Sequence, residues 1–362
     1  MELDKDICYM LRPINFLITL VLLQKYKLTK NTISKNGWMF YIMSLKFTLF
    51  LIWAQIYRII EISKLFTYKL NYVSFYVIFN FVIYVFAIGI LYIDNLLMRE
   101  LYFNIVLKLS HANEILKQSY LEFPKLYKYR MWFYICSFVI GYFVMIILAT
   151  TIFEMNWHMF QWVYVITIAY FDISFFYAIC LLTILNAELS LWMSEICKFS
   201  ELCRFVRSCK YKQGKKTYLM KLYNCYIDIF EAYGLYKKAF RTLVIIFSTI
   251  IFVIVIVDTF LHALLYVQFV FELIKKNAKE CLVKLMVFGW VIKNLVVIVI
   301  LEFEAEKFYT KIVNVSHICT LILKRNKSGK IATIYIIFNN IYLIPLLLLI
   351  FICSKKSNTY FS

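Results

Sequence analysis

Stretches of 19 or more apolar residues recur from one end of this chain to the other, and they constrain its folding more than any other feature. A run of about 20 apolar residues is the length that crosses the hydrocarbon of a bilayer. Within hydrocarbon the backbone must satisfy its own hydrogen bonds, which leaves helices or closed barrels. Seven Gly and three Pro in 362 residues are too few for an all-β chain rich in tight turns. The expected fold class is therefore all-α: a polytopic membrane protein with about seven transmembrane helices. Composition agrees, with 63% hydrophobic and 19% aromatic residues, where a soluble domain is about half apolar.

The spans are expected at 38–60, 72–93, 131–153, 162–185, 242–266, 285–303 and 331–353. Together they form a single seven-helix membrane domain over residues 1–362, without repeats or a low-complexity linker. The apolar run 14–23 is too short to cross and reads as an interfacial or packed segment. No signal peptide is evident, because Met1 to Cys8 carries three acids and the run after it has no small-residue cleavage site.

Charge sets the expected orientation. Of the 40 Lys and Arg residues, 29 fall in segments 1–37, 94–130, 186–241 and 304–330, eight fall on the alternate side, and Lys46, Arg58 and Lys293 lie inside spans. Cytoplasmic loops carry the excess of Lys and Arg, so the N-terminus is expected in the cytoplasm. The net charge of +19 is explained by this distribution and not by nucleic acid, which is not an expected partner. Segments 94–130, 186–241 and 304–330 show apolar residues at helical spacing. They read as membrane helices continuing into the cytosol, packed as a base either between subunits or within one. The ten cysteines include no CxxC pair and read as reduced thiols, with Cys281 and Cys353 the two near the outer face. Sequons at Asn314 and Asn326 fall on the cytoplasmic side and are expected to be unused.

Chemistry is sparse. No GxSxG, HExxH or GxxxxGK[ST] occurs, and the four histidines are scattered. An enzyme, a metal site and a cofactor are not expected. Charge inside spans is more informative, because it is costly in hydrocarbon and must face protein or water. Asp258 and His262 stand four apart on one face of the fifth expected span. Asp172 lies near the middle of the fourth and Lys293 near the middle of the sixth. Structural pairing between helices, for example Asp258 with Lys293, is one reading. A small-molecule pocket in the outer half is a second, and an ion or proton relay is a third. The aromatic group Trp157, His158, Phe160, Trp162, Tyr164, Tyr170 and Phe171 lies at a similar level. It serves as an interfacial belt or as the wall of such a pocket. The candidate ligand site is thus Asp258, His262, Asp172, Lys293, Trp157, His158, Trp162, Tyr170 and Phe171.

Several short stretches carry a family resemblance over residues 8–325. Leu11-Arg12-Pro13 precedes an apolar run. Leu222-Tyr223 through Phe230, then Ala232-Tyr233-Gly234-Leu235, lead into the fifth expected span. Leu301-Glu302-Phe303-Glu304-Ala305-Glu306 leave the sixth. With the layout as a whole, the chain resembles the insect gustatory receptor family. The C-terminus departs from that family's pattern. Its Thr-Tyr, five apolar residues, then Gln-Phe is missing, and 331–353 contains no Gln. One reading is that residues after about 329 are translated intron, since Gly329-Lys330 can be encoded by a splice-donor-like sequence. The resemblance implies a chemosensory receptor of the plasma membrane, in sensory-neuron dendrites. It implies a ligand-gated non-selective cation channel for a small-molecule tastant, built as a homo- or hetero-tetramer with receptors of the same family. A G-protein-coupled receptor and a membrane transporter are the alternatives.

Overall fold

The long apolar runs fold as the hydrogen-bonding argument requires. The computed structural model describes residues 1–65, 72–117, 125–153, 159–205, 217–245 and 278–325. Among the described residues the chain starts with α1 (Lys5–Leu20) and a short hairpin, β1 (Lys27–Thr29) with β2 (Thr32–Ser34). There follow α2 (Trp38–Leu65), α3 (Tyr72–Leu97), α4 (Arg99–Lys117), α5 (Lys125–Phe153) and α6 (Met159–Phe205). A helix through 217–245, α7, and then α8 (Ala278–Arg325) complete the described set.

The expectation of about seven spans is corrected. Among the described residues two helical stretches, Trp38–Tyr57 and Val165–Phe199, are long and apolar enough to cross a membrane. A third is reached only if Val82–Leu97 and Arg99–Lys117, bent by 57° at their break, count as one span. Length and charge are the physical reasons. The apolar described part of α5 is short, Tyr129–Val144. In α8, Lys293, Glu302, Glu304, Glu306 and Lys307 all fall between Ile292 and Tyr309, too many ionisable groups for one apolar crossing. The expected span 331–353 lies outside the described residues, as does 242–266 beyond residue 245. With at least two crossing helices, the chain is a multi-pass membrane protein.

Helix α6 is the axis of the fold. Its 47 residues make a rod about 70 Å long at 1.5 Å per residue, more than twice the hydrocarbon thickness of about 30 Å. It packs against α1, α2, α4, α5 and α8. Its middle, from Tyr170 to Trp192, is buried almost throughout, so the core is built around this helix and not beside it. Gln55 of α2 donates to Thr167 of α6 at 2.8 Å, a buried polar tie between the two crossing stretches.

The segment 14–23, too short to cross, is packed. It forms the second half of α1 and the turn after it, with Ile14 and Ile18 fully covered. Asp4 caps α1, its side chain accepting from the Asp6 N–H at 2.8 Å. The same carboxylate accepts from Asn113 at 2.6 Å and Lys117 at 2.7 Å, which fastens α1 to α4. Helix α7 is held at both ends of its inner face. Trp192 of α6 donates to the Leu222 carbonyl at 2.7 Å, and Tyr102 of α4 donates to the Ala239 carbonyl at 3.2 Å.

Candidate functional site

The charges placed inside spans come together only in part. Asp172 of α6 pairs with Lys293 of α8, and Tyr142 of α5 donates its hydroxyl to the same carboxylate. The Lys293 ammonium also stands 5.7 Å from the centre of the Tyr142 ring. Three helices therefore meet at one carboxylate. Its side chain is 3% exposed, whereas that of Lys293 is 32% exposed. The ammonium meets the enclosed carboxylate, while part of the long lysine side chain remains exposed.

The sequence offered Asp258 as an example partner for Lys293. The structure pairs Lys293 with Asp172 instead, and Asp258 and His262 lie outside the described residues. Trp157 and His158 also lie outside them, and the Trp162 side chain is not described. Tyr170 and Phe171 are adjacent in sequence to Asp172 but turn away from it. Phe171 packs on Tyr84 of α3 with ring centres 5.6 Å apart, and Tyr170 is fully buried beside it. Successive helical residues are about 100° apart, so a site on the Asp172 face excludes both rings.

A second polar cluster joins the same three helices. Arg130 of α5 forms an ion pair with Glu304 of α8 and donates to Tyr134 at 2.6 Å. Asn186 of α6 donates to both the backbone oxygen and the carboxylate of Glu304, at 2.8 and 2.9 Å. Lys311 donates to the Asn186 carbonyl at 2.7 Å. The two clusters are 12 residues apart on α5, 14 on α6 and 11 on α8, or about 16–21 Å along each axis. The order of the paired residues makes α6 and α8 run parallel, with α5 antiparallel to both. Sequence reasoning passed over this cluster because Arg130 and Glu304 sit at expected span boundaries, where charge is ordinary.

Two further groups went unnoticed. Glu188 is fully buried on α6, and neither of its carboxyl oxygens finds a hydrogen-bond partner among the described residues. Lys25 had counted only as one of the basic residues of the N-terminal segment. It is 8% exposed, with its ammonium 4.5 Å over the ring of Tyr102. Burial pushes it down from 10.5 to about 7, opposed by the nearby Asp94 carboxylate.

That shift gives an expected pH dependence. The unfolded chain keeps the Lys25 proton up to its ordinary value of 10.5, while the folded chain releases it near 7. Between these values the unfolded state binds more protons, so folding stability rises with pH across that window. Lys25→Met removes the rise, and the variant gains most over wild type at pH 7 and least near pH 10. Unfolding midpoints of both proteins at pH 7, 8 and 9 check this; parallel slopes would count against it.

No family model matches this chain, and no curated protein matches it. The resemblance to insect gustatory receptors is corrected accordingly. None of the short stretches that carried it is specific alone. The described residues hold two crossing helices, or three with the bent pair, where that reading needs about seven. The taste-receptor channel, the G-protein-coupled receptor and the transporter fall with it. What stands is an all-α fold class and a multi-pass membrane protein.

Proposed function

We propose that this protein acts by binding and not by catalysis, taking a small organic molecule at the Tyr142–Asp172–Lys293 cluster. One observation carries the reading. An aspartate, a lysine and a tyrosine from three helices converge, with the carboxylate enclosed and the lysine side chain partly exposed. A ligand with a hydrogen-bond acceptor would join Asp172 and Tyr142 around the partly exposed Lys293 side chain. Pockets with a few fixed polar groups among apolar walls suit small ligands. The sequence also carries no nucleophile or phosphate-loop motif. Plasma membrane is the proposed location, which surface biotinylation of intact cells checks directly.

The binding test uses the full chain in mild detergent. Compounds from a small-molecule library that raise the unfolding midpoint of wild type should have no effect on Lys293→Met. A Tyr142→Phe variant, which keeps the ion pair, should show a reduced shift for the same compounds. Hits that stabilise Lys293→Met as strongly as wild type would remove the cluster as the binding site.

A further inference from the structure

Helix α5 presents an exposed apolar stripe, Tyr129, Trp132, Phe133, Ile140, Phe143 and Val144. The steps of three, one, seven, three and one residues keep it on one helical face. Helix α8 presents another, Ile292, Val296, Val299 and Phe303. Exposed apolar surface of this extent marks a face that something covers. Both stripes end at the same polar cluster, where three cations, Arg130, Lys307 and Lys311, surround one carboxylate, Glu304. Glu302 and Glu306 match the excess in number but stand on the other flank of the α8 stripe. Both are exposed, about 200° around the helix from Glu304, and flank the α8 stripe on the side away from α5, whereas Lys307 flanks it on the α5 side.

The imbalance registers at Lys311. Burial pushes its ammonium down to about 8, and the neighbouring Lys307 and Arg130 push the same way against Glu304. Lys307 lies next in line after the α8 stripe, its ammonium 6.0 Å from the centre of the Phe303 ring. Basic side chains between helices, beside exposed aromatic residues at the end of an apolar face, fit the head of an anionic lipid. The cations gathered on the α5 side of the stripe favour an anionic head over a zwitterionic one.

We propose that this corner between α5 and α8 holds the phosphate headgroup of an anionic phospholipid, with Lys307 and Lys311 supplying the cations and the two exposed stripes receiving the acyl chains. The test compares phosphatidylserine, phosphatidylcholine and inorganic phosphate added to the detergent-solubilised full chain. Phosphatidylserine should raise the unfolding midpoint by several degrees more than phosphatidylcholine, and inorganic phosphate should not raise it. Lys307→Gln should at least halve that difference, and Lys307→Gln with Lys311→Gln should abolish it. If the double variant fails to fold, Lys307→Gln alone decides the matter, because Lys307 lies partly exposed at the edge of the cluster. Equal effects of the two lipids would overturn the proposal, as would a full effect from phosphate alone or an undiminished difference in Lys307→Gln. A second copy of the chain is the competing occupant. Cys136 is exposed within the α5 stripe. Efficient oxidative cross-linking through Cys136 in native membranes would put protein there and also overturn the lipid site, whereas its absence supports it.

Discussion

Asp172→Ala lowers folding stability by roughly 3 kcal/mol, and adding Lys293→Met restores most of the loss. Removing one member of a buried pair strands the other, which costs about 3–5 kcal/mol, whereas replacing both with apolar groups is often neutral. The lower end applies here because the Lys293 side chain is 32% exposed, so the pair is only partly buried. Unfolding midpoints in detergent for the two single variants, the double variant and wild type give the cycle. A double variant as unstable as the sum of the singles would mean that the residues act independently.

Glu304→Ala is the second large effect. Its carboxylate is fully buried and meets Arg130 and Asn186, so its loss takes the ion pair from Arg130, which keeps Tyr134, and one of two bonds from Asn186, which keeps the backbone oxygen. The expected cost is again about 3–5 kcal/mol. Glu304→Gln keeps the shape and one acceptor and should cost about half as much. The two glutamate variants should differ in how α5 is held, because Arg130 is its tie at this level. Proteolysis at Arg130 should therefore be faster in Glu304→Ala than in Glu304→Gln. Equal cleavage in all three proteins would show that α5 stays in place without the ion pair.

Helicity was legible because it follows from apolar length and hydrogen-bond satisfaction, neither of which needs tertiary information. The number of crossings was not, because apolar runs of similar length end up either in hydrocarbon or inside protein. The stretches expected at 131–153 and 285–303 show the protein case, in α5, whose apolar described part is Tyr129–Val144, and in α8, which packs against α6. Asp172 and Lys293 could be singled out as costly charges, yet their pairing needed the arrangement of α6 and α8. Tyr142 carried no signal of its own, as one of 29 tyrosines. Tyr170 and Phe171 were grouped with Asp172 by nearness in sequence, which a helix does not respect. Lys25 was misjudged for the opposite reason. A rule about where basic residues accumulate counts charges and cannot tell which one the fold has covered.

The unbroken length of α6 has a mechanical consequence. Trp192 lies 20 residues beyond Asp172 on the same helix, about 30 Å along the axis. If α6 swings by about 5° about Asp172, Trp192 is carried through roughly 2.6 Å by rigid-rod geometry. Its indole donates to the Leu222 carbonyl at 2.7 Å, and a displacement of that size takes such a bond well past hydrogen-bonding range. The helix is thus a lever with a short throw: tilting at the Asp172 level is enlarged into making or breaking contact with α7.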